Sequence, residues 1–160
     1  STVNLLLDMG AQGYLVASAL RAVVAQRLVR KICDSCKTEH TPDARELVII
    51  KNVMGDAHAS VTFQHGTGCT HCNNTGYHGR IGVFEFLEID DQLADDLRRS
   101  DASGFAGHAK QSDSFHSFAQ HALEYALQGV TSVEEVIRVA GTIDDNQDEF
   151  VTEIDPDMPN

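Results

Sequence analysis

Cys33, Cys36, Cys69 and Cys72 form two C-x-x-C pairs with 32 residues between them, and these are the residues whose type and spacing point to a definite chemistry. Two thiolates at that spacing fit one turn of backbone whose amides point at the sulfurs. Two such knuckles complete the tetrahedral four-sulfur shell that zinc favours. The second knuckle runs Gly68-Cys69-Thr70-His71-Cys72-Asn73-Asn74-Thr75-Gly76-Tyr77. Its glycines flank the pair where the backbone turns tightly, and Asn73 and Asn74 tolerate left-handed dihedrals. A disulfide, or reduced cysteines in a core, competes with this reading, but paired knuckles in a chain of this size favour zinc. The spacer is longer than in common zinc ribbons, which argues against a ribbon fold rather than against the metal. His65, His71 and His78 lie in or near the second pair, yet four thiolates already close the shell, so these histidines read as solvated or as supporting a ligand. A closed shell leaves no position for a water, so the site reads as structural.

Other chemistry is not apparent. The chain has no G-x-x-x-x-G-K-[ST] phosphate loop, G-x-S-x-G elbow, H-E-x-x-H or G-x-G-x-x-G. No catalytic and no cofactor-binding residue is therefore assigned. Hydrophobic residues at 42% and charged residues at 22% of 160 describe a globular chain. No apolar run approaches the roughly 20 residues that span a bilayer, so direct membrane insertion is not expected. Twelve Lys plus Arg against 24 Asp plus Glu give a formal charge of -12, which repels phosphate backbones and argues against nucleic acid as a partner. The charge is uneven: residues 144–160 hold seven acids and no base, whereas residues 1–37 hold five bases and two acids. Arg27, Arg30 and Arg80 make one basic cluster, expected to pair with Glu85 or Glu88 or to reach a phosphate or acid on a partner.

The elements around the cysteines follow from periodicity. Residues 26–32 alternate as a strand or a helix end, and residues 80–89, rich in β-branched and aromatic side chains, read as a strand. If both are strands, the cysteines sit where an antiparallel pair opens into an insertion. Inside it, Thr41 as cap, Pro42 at the first helical position and acids at Asp43 and Glu46 predict a helix ending at Gly55. Its apolar run Leu47-Val48-Ile49-Ile50 exceeds one helical face and either packs on the knuckles or meets a partner. Val61–His65 reads as a short strand. Asp90 caps a helix burying Leu93, Ala94 and Leu97. Phe115, Phe118, Ala119, Ala122, Leu123, Ala126 and Leu127 form one helical stripe ending at Gly129. Ser132 and Glu135 form a capping box for a last helix burying Val133, Val136, Ile137 and Ala140. The acidic residues beyond Gly141 are expected to be disordered.

Three motifs, in order, resemble the C-terminal part of the GspE/PulE/PilB-type secretion ATPases: residues 26–33, the stretch Gly68-Cys69-x-x-Cys72-x-x-Thr75-Gly76-Tyr77-x-Gly79-Arg80-x-Gly82-Val83-x-Glu85, and residues 129–139. These ATPases are the hexameric motors of type II secretion and of type IV and MSHA pilus assembly. The resemblance runs from about Leu5 to Ala140. It implies an α+β piece of a bacterial traffic ATPase whose phosphate loop, magnesium site and histidine box lie upstream of the segment resembling Leu5-Leu6-Leu7-Asp8-Met9-Gly10. On this basis residues 1–32 are the tail of a RecA-like motor domain ending in a strand, and 33–79 a tetracysteine zinc insertion. Residues 80–89 are then the return strand, 90–142 a helical subdomain and 143–160 an acidic tail outside the family pattern. The first knuckle, Cys33-Asp34-Ser35-Cys36, departs from the family by lacking proline after its first cysteine.

The same resemblance implies structural Zn2+ on Cys33, Cys36, Cys69 and Cys72, with ATP and Mg2+ bound only in a full-length homo-hexameric parent. It further implies an inner-membrane platform protein as partner and a cytoplasmic location, peripheral at the inner membrane. A free-standing zinc-knuckle adaptor, chaperone-like in role, is the alternative from a different functional class.

Overall fold

A computed structural model describes residues 12–55, 61–140 and 149–154. The elements in chain order are α1 (Gly13–Ala19), β1 (Leu20–Ile32), β2 (Lys37–His40), α2 (Ala44–Met54), β3 (Phe63–Gly66), a 3-10 turn (Thr70–Cys72), β4 (Tyr77–Glu88), α3 (Asp91–Arg98), α4 (Ala102–Gln111), α5 (Phe118–Leu127), α6 (Val133–Ala140) and β5 (Glu149–Ile154). Helices mixed with small antiparallel sheets make the fold α+β. One sheet has the order β4-β1-β5 and the other pairs β2 with β3. β1 and β4 run antiparallel, since Ile89 N–H donates to the Arg21 carbonyl at one end and Cys33 N–H to the Gly76 carbonyl at the other. The Leu5–Gly10 motif lies outside the described residues.

The described residues form two compact units, one of residues 12–26, 85–116 and 149–154, the other of residues 27–55, 61–84 and 117–140. In the first, Val16, Ala17, Leu20, Leu87, Leu93, Leu97 and Phe105 form a buried core. A methyl at Gly13 would overlap the Leu97 carbonyl, so only glycine lets α1 approach α3 this closely. Asp90 caps α3 as expected, accepting from Leu93 N–H at 2.9 Å. Helix α4 has no counterpart in the sequence reading: Gly104 and Gly107 weaken its helical pattern, and Phe105 is its one fully buried side chain. Residues 149–154, part of the stretch expected to be disordered, form β5 and pair antiparallel with β1 from Gln26↔Glu149 to Leu20↔Ile154. Acidic content favours solvation, but backbone pairing along a neighbouring strand edge competes with it.

In the second unit α2 and β3 pack on α5 and α6. The α2 and β3 elements of the insertion thus share a unit with α5 and α6, whereas α3 and α4 belong to the first unit. The reason is size: Ile50 and Phe63, at 0% and 2% exposure, need apolar neighbours that a short excursion cannot supply. Helix α2 begins two residues later than Thr41 and Pro42 suggested. Asp43 is its cap, and Asp43 and Glu46 close a reciprocal box with bonds of 2.8 and 2.9 Å. Helix α5 starts at Phe118 behind a Ser117–Gln120 box. Phe115 lies outside that helix and packs on the core of the first unit.

The last helix overturns an expectation. Ser132 Oγ accepts from Glu135 N–H at 3.3 Å, but the Glu135 carboxylate does not close a box. It is fully buried and takes Arg30 Nη2 at 2.9 Å, Arg30 N–H at 2.8 Å and Arg138 Nη2 at 2.8 Å. Val139 is buried in α6, while Ile137 and Ala140 are half-buried. Arg30 thus pairs with Glu135, not with Glu85 or Glu88. Arg27 lies over the Phe118 ring at 4.6 Å and donates to the Val139 carbonyl, while Arg80 is exposed.

Burial by itself raises the Glu135 carboxyl, but hydrogen bonds from Arg138 and Arg30 outweigh it and hold the group below its ordinary 4.5. The stability this pairing supplies is therefore whole above about pH 4.5 and is lost as the pH falls through the lower folded value. Glu135→Gln is expected to cost about 2 kcal/mol in urea unfolding at neutral pH. The variant should also lose less stability than wild type on acidification. An acid dependence identical to wild type would show that the pairing contributes nothing.

Candidate metal centre

Two hairpins place the cysteines. β1 ends at Ile32 and β4 begins at Tyr77, and between them lies the β2–β3 pair, in register from Lys37↔Gly66 to His40↔Phe63. Cys33 and Cys36 lie on the link from β1 to β2, and Cys69 and Cys72 on the link from β3 to β4. The ends of the two hairpins meet backbone against backbone. A methyl at Gly66 would overlap the Gly76 carbonyl, and Gly76 also takes φ 80°, so both positions require glycine. Asn73 and Asn74 adopt φ 54° and 62°, the left-handed geometry anticipated for them.

The four Sγ atoms lie within 4.8 Å of one another. Cys33 and Cys69 are 3.8 Å apart, Cys36 and Cys72 3.9 Å, and Cys69 and Cys72 3.7 Å. A tetrahedral ion with metal–sulfur bonds of about 2.3 Å separates its ligands by about 3.8 Å. The residues therefore fit a four-sulfur metal shell. A disulfide needs sulfurs at about 2.05 Å, and all four cysteines are free. Cys33 and Cys72 are buried and Cys36 and Cys69 half-buried, so a bound ion would be largely screened from water.

Backbone amides prepare the sulfurs for charge. Gly68 N–H donates to Cys36 Sγ at 3.3 Å, while Cys69 and Gly76 N–H donate to Cys72 Sγ at 3.3 and 3.2 Å. Desolvation raises the Cys72 thiol, but those two amides together with hydrogen bonds from the neighbouring sulfurs of Cys69 and Cys36 more than offset it and lower the group to about 6. For Cys36 desolvation wins over its one amide and pushes the thiol up to about 11. Cys72 is thus readied as a thiolate, whereas the Cys36 thiol would ionise when a cation neutralises it.

The histidines stay apart from this group. His65 packs edge-on to His40 with ring centroids 5.2 Å apart, and His40 Nε2 meets Glu46 Oε2 at 2.8 Å. His71 and His78 are exposed, their centroids 4.5 Å apart. Sequence reasoning did not single out Tyr77, Ser132 and Glu135 as a polar group beside the knuckles. Tyr77 Oη lies 2.6 Å from Ser132 Oγ, and the Arg30 guanidinium sits 4.0 Å over the Tyr77 ring. The residues are 55 apart in sequence, so local patterning carried no signal.

A tetrathiol cluster at the mouth of paired strands, in one unit with the helices α5 and α6, defines a structural module with a candidate metal centre. The Type II/IV secretion system protein family model matches residues 1–138, and the chain belongs to that family. It is 36% identical over 137 residues to the type II secretion system ATPase E of Vibrio cholerae serotype O1, covering 86% of this chain and 26% of that protein. It is 33% identical over 138 residues to the type IV pilus assembly ATPase PilB of Pseudomonas aeruginosa, covering 86% and 24%. PilB of Thermus thermophilus is 30% identical over 130 residues, covering 81% and 14%. The chain thus spans about a quarter or less of the length of these relatives.

Gly66→Ala is expected to force the hairpin ends apart, destabilising the second unit by about 3 kcal/mol and making all four thiols reactive in native buffer. Thermal melting and thiol titration measure both effects. An unchanged melting point with protected thiols would show that the ends tolerate separation.

Proposed function

We propose that this chain is the zinc-bearing C-terminal region of a bacterial traffic ATPase that powers type II protein secretion or the assembly of type IV or MSHA pili. The sulfur tetrahedron carries this reading, in a chain that belongs to the secretion family. Cys33, Cys36, Cys69 and Cys72 hold a structural Zn2+, which supplies a cross-link and a closed coordination shell rather than an activated water. Residues 1–32 and 80–142 are the tail of a RecA-like motor domain and its helical appendage. ATP and Mg2+ bind in the full-length homo-hexamer, outside this region.

In that setting the second unit is a rigid part displaced as subunits rotate during turnover, acting on an inner-membrane platform protein from the cytoplasmic side. No helix among the described residues is long and apolar enough to cross a membrane, in keeping with a peripheral role. The site residues themselves do two things. They position two hairpin ends against each other, and they exclude water from the sulfurs.

Elemental analysis should find about one zinc per chain, and Cys69→Ser should release it. Hydrogen exchange should then rise across residues 27–84 and 117–140, while α1, α3 and α4 keep their protection. In the full-length parent the same substitution is expected to leave nucleotide binding intact and to abolish secretion or piliation. A zinc-free wild type that is natively folded would overturn the metal assignment. A Cys69→Ser parent with full export and normal pili would overturn the mechanical role.

A further inference from the structure

The backbone of Gly76 touches both knuckles through its two adjoining peptides. Its N–H donates to Cys72 Sγ at 3.2 Å, and its carbonyl accepts from Cys33 N–H at 3.0 Å. An amide steadies a thiolate only while its own plane is fixed. On one side Gly76 is fixed by the Gly66 backbone, which leaves no space even for a methyl group. On the other side the next residue is Tyr77, whose own N–H donates to Thr75 Oγ1 at 3.2 Å, while that hydroxyl donates to the Cys72 carbonyl at 2.7 Å.

Tyr77 is in turn anchored far along the sequence. Its hydroxyl lies 2.6 Å from Ser132 Oγ and donates to Glu134 Oε2 at 3.2 Å. Its ring lies under the Arg30 guanidinium at 4.0 Å, a cation–π contact. Arg30 cannot swing away: Nε and Nη2 donate to Glu135 Oε1 at 3.1 and 2.9 Å, and Thr131 Oγ1 donates to the Arg30 carbonyl at 2.7 Å. Arg138 closes the set with Nε 3.2 Å from Glu135 Oε1 and Nη2 2.7 Å from the Leu28 carbonyl. A continuous set of contacts thus runs from the sulfurs to the first turn of α6.

We propose that Tyr77 is a positioning residue for the four-cysteine site, latched to α6 through Ser132, Arg30 and Glu135, so that metal retention depends on how α6 is packed. The inference rests on reading the cysteines as a zinc site. Outer partners that orient metal ligands are worth about 10–100-fold in affinity when removed. Coupling between two sites acts in both directions, so zinc occupancy must stabilise the first turn of α6 as much as α6 favours zinc.

The test is competition between the full chain and a chromophoric zinc chelator, for wild type, Tyr77→Phe, Glu135→Gln and Leu123→Ala. Exchange of the Gly76 amide in the zinc-loaded protein is measured alongside. Tyr77→Phe keeps the ring under Arg30 and removes only the hydroxyl. It should weaken zinc binding about tenfold and speed Gly76 exchange, with Glu135→Gln acting in the same direction. Leu123→Ala, a core truncation in α5, should lower unfolding stability and leave zinc affinity as in wild type. Tyr77→Phe with wild-type affinity and wild-type Gly76 exchange overturns the latch. So does an equal loss of affinity in Leu123→Ala, which would reduce the effect to general stability. A wild-type chain that takes up no zinc overturns the metal reading itself, a result distinct from either.

Discussion

Gly66 and Gly76 must touch. Their backbones approach so closely that neither can carry a side chain, and this contact brings the ends of two hairpins together at the place where four sulfurs face inward. Everything else in the second unit is arranged around that constraint. The 3-10 turn of Thr70–Cys72 and the left-handed pair Asn73 and Asn74 fold the second knuckle back so that its amides point at sulfur. Cys69 and Gly76 donate to one thiol, and that thiol is the one whose ionisation is favoured. Sulfurs about 3.8 Å apart would repel one another if all were ionised, so the arrangement is stable as a set of thiolates only around a cation.

A second constraint is electrostatic. Among the described residues, Asp96 in the first unit and Glu135 in the second are carboxylates with no exposed side-chain surface. Asp96 meets His108 Nδ1 at 2.6 Å and Arg99 Nη2 at 3.0 Å. Glu135 meets Arg30 and Arg138. A buried charge is costly unless paired and bonded, and the pairing fixes one geometry because few others satisfy it. The Glu135 arrangement joins β1 to α6 across 105 residues of sequence. It therefore constrains chain topology in a way that the short-range caps at Asp90, Asp43 and Ser117 do not.

What could be read from the sequence follows the range of the interaction. The knuckles, the left-handed asparagines, the strand after Gly79 and the helices over Leu93, Ala122 and Val133 rest on spacing within a few residues, and they are where the sequence placed them. The cap of α2 was missed by two residues because Thr41-Pro42 and Asp43 with Glu46 are both acceptable starts, and the reciprocal box decides for Asp43. Helix α4 was hidden by Gly104 and Gly107. The role of Glu135 was misread because a box requires its carboxylate to turn back on its own cap. Arg30 and Arg138 offer charged donors instead, and these bonds are stronger. Nothing in the residues near Glu135 names Arg30. The grouping of α2 and β3 with α5 and α6 escaped for the same reason, since it is a matter of which apolar faces meet after the chain has returned.

The apolar run of α2 shows what the proposed cross-link would add. Of Leu47-Val48-Ile49-Ile50, Ile50 is buried, Ile49 half-buried, and Leu47 and Val48 remain 38% and 60% exposed. Burying a side chain of this kind yields about 1.5–3 kcal/mol, so the insertion forgoes part of the stabilisation its own sequence offers. Against that, structural zinc in small domains supplies an apparent 10–16 kcal/mol at neutral pH. If the cysteines hold zinc as proposed, the sulfur cluster outweighs these partly exposed side chains, and it acts together with the packing of α2 and β3 on α5 and α6 to orient the insertion. The exposed Leu47 and Val48 are freer to vary than the buried Ile50. The cysteines, Gly66 and Gly76 have no such freedom, because each acts where the two hairpin ends converge and no distant residue can compensate for a lost ligand or a blocked approach.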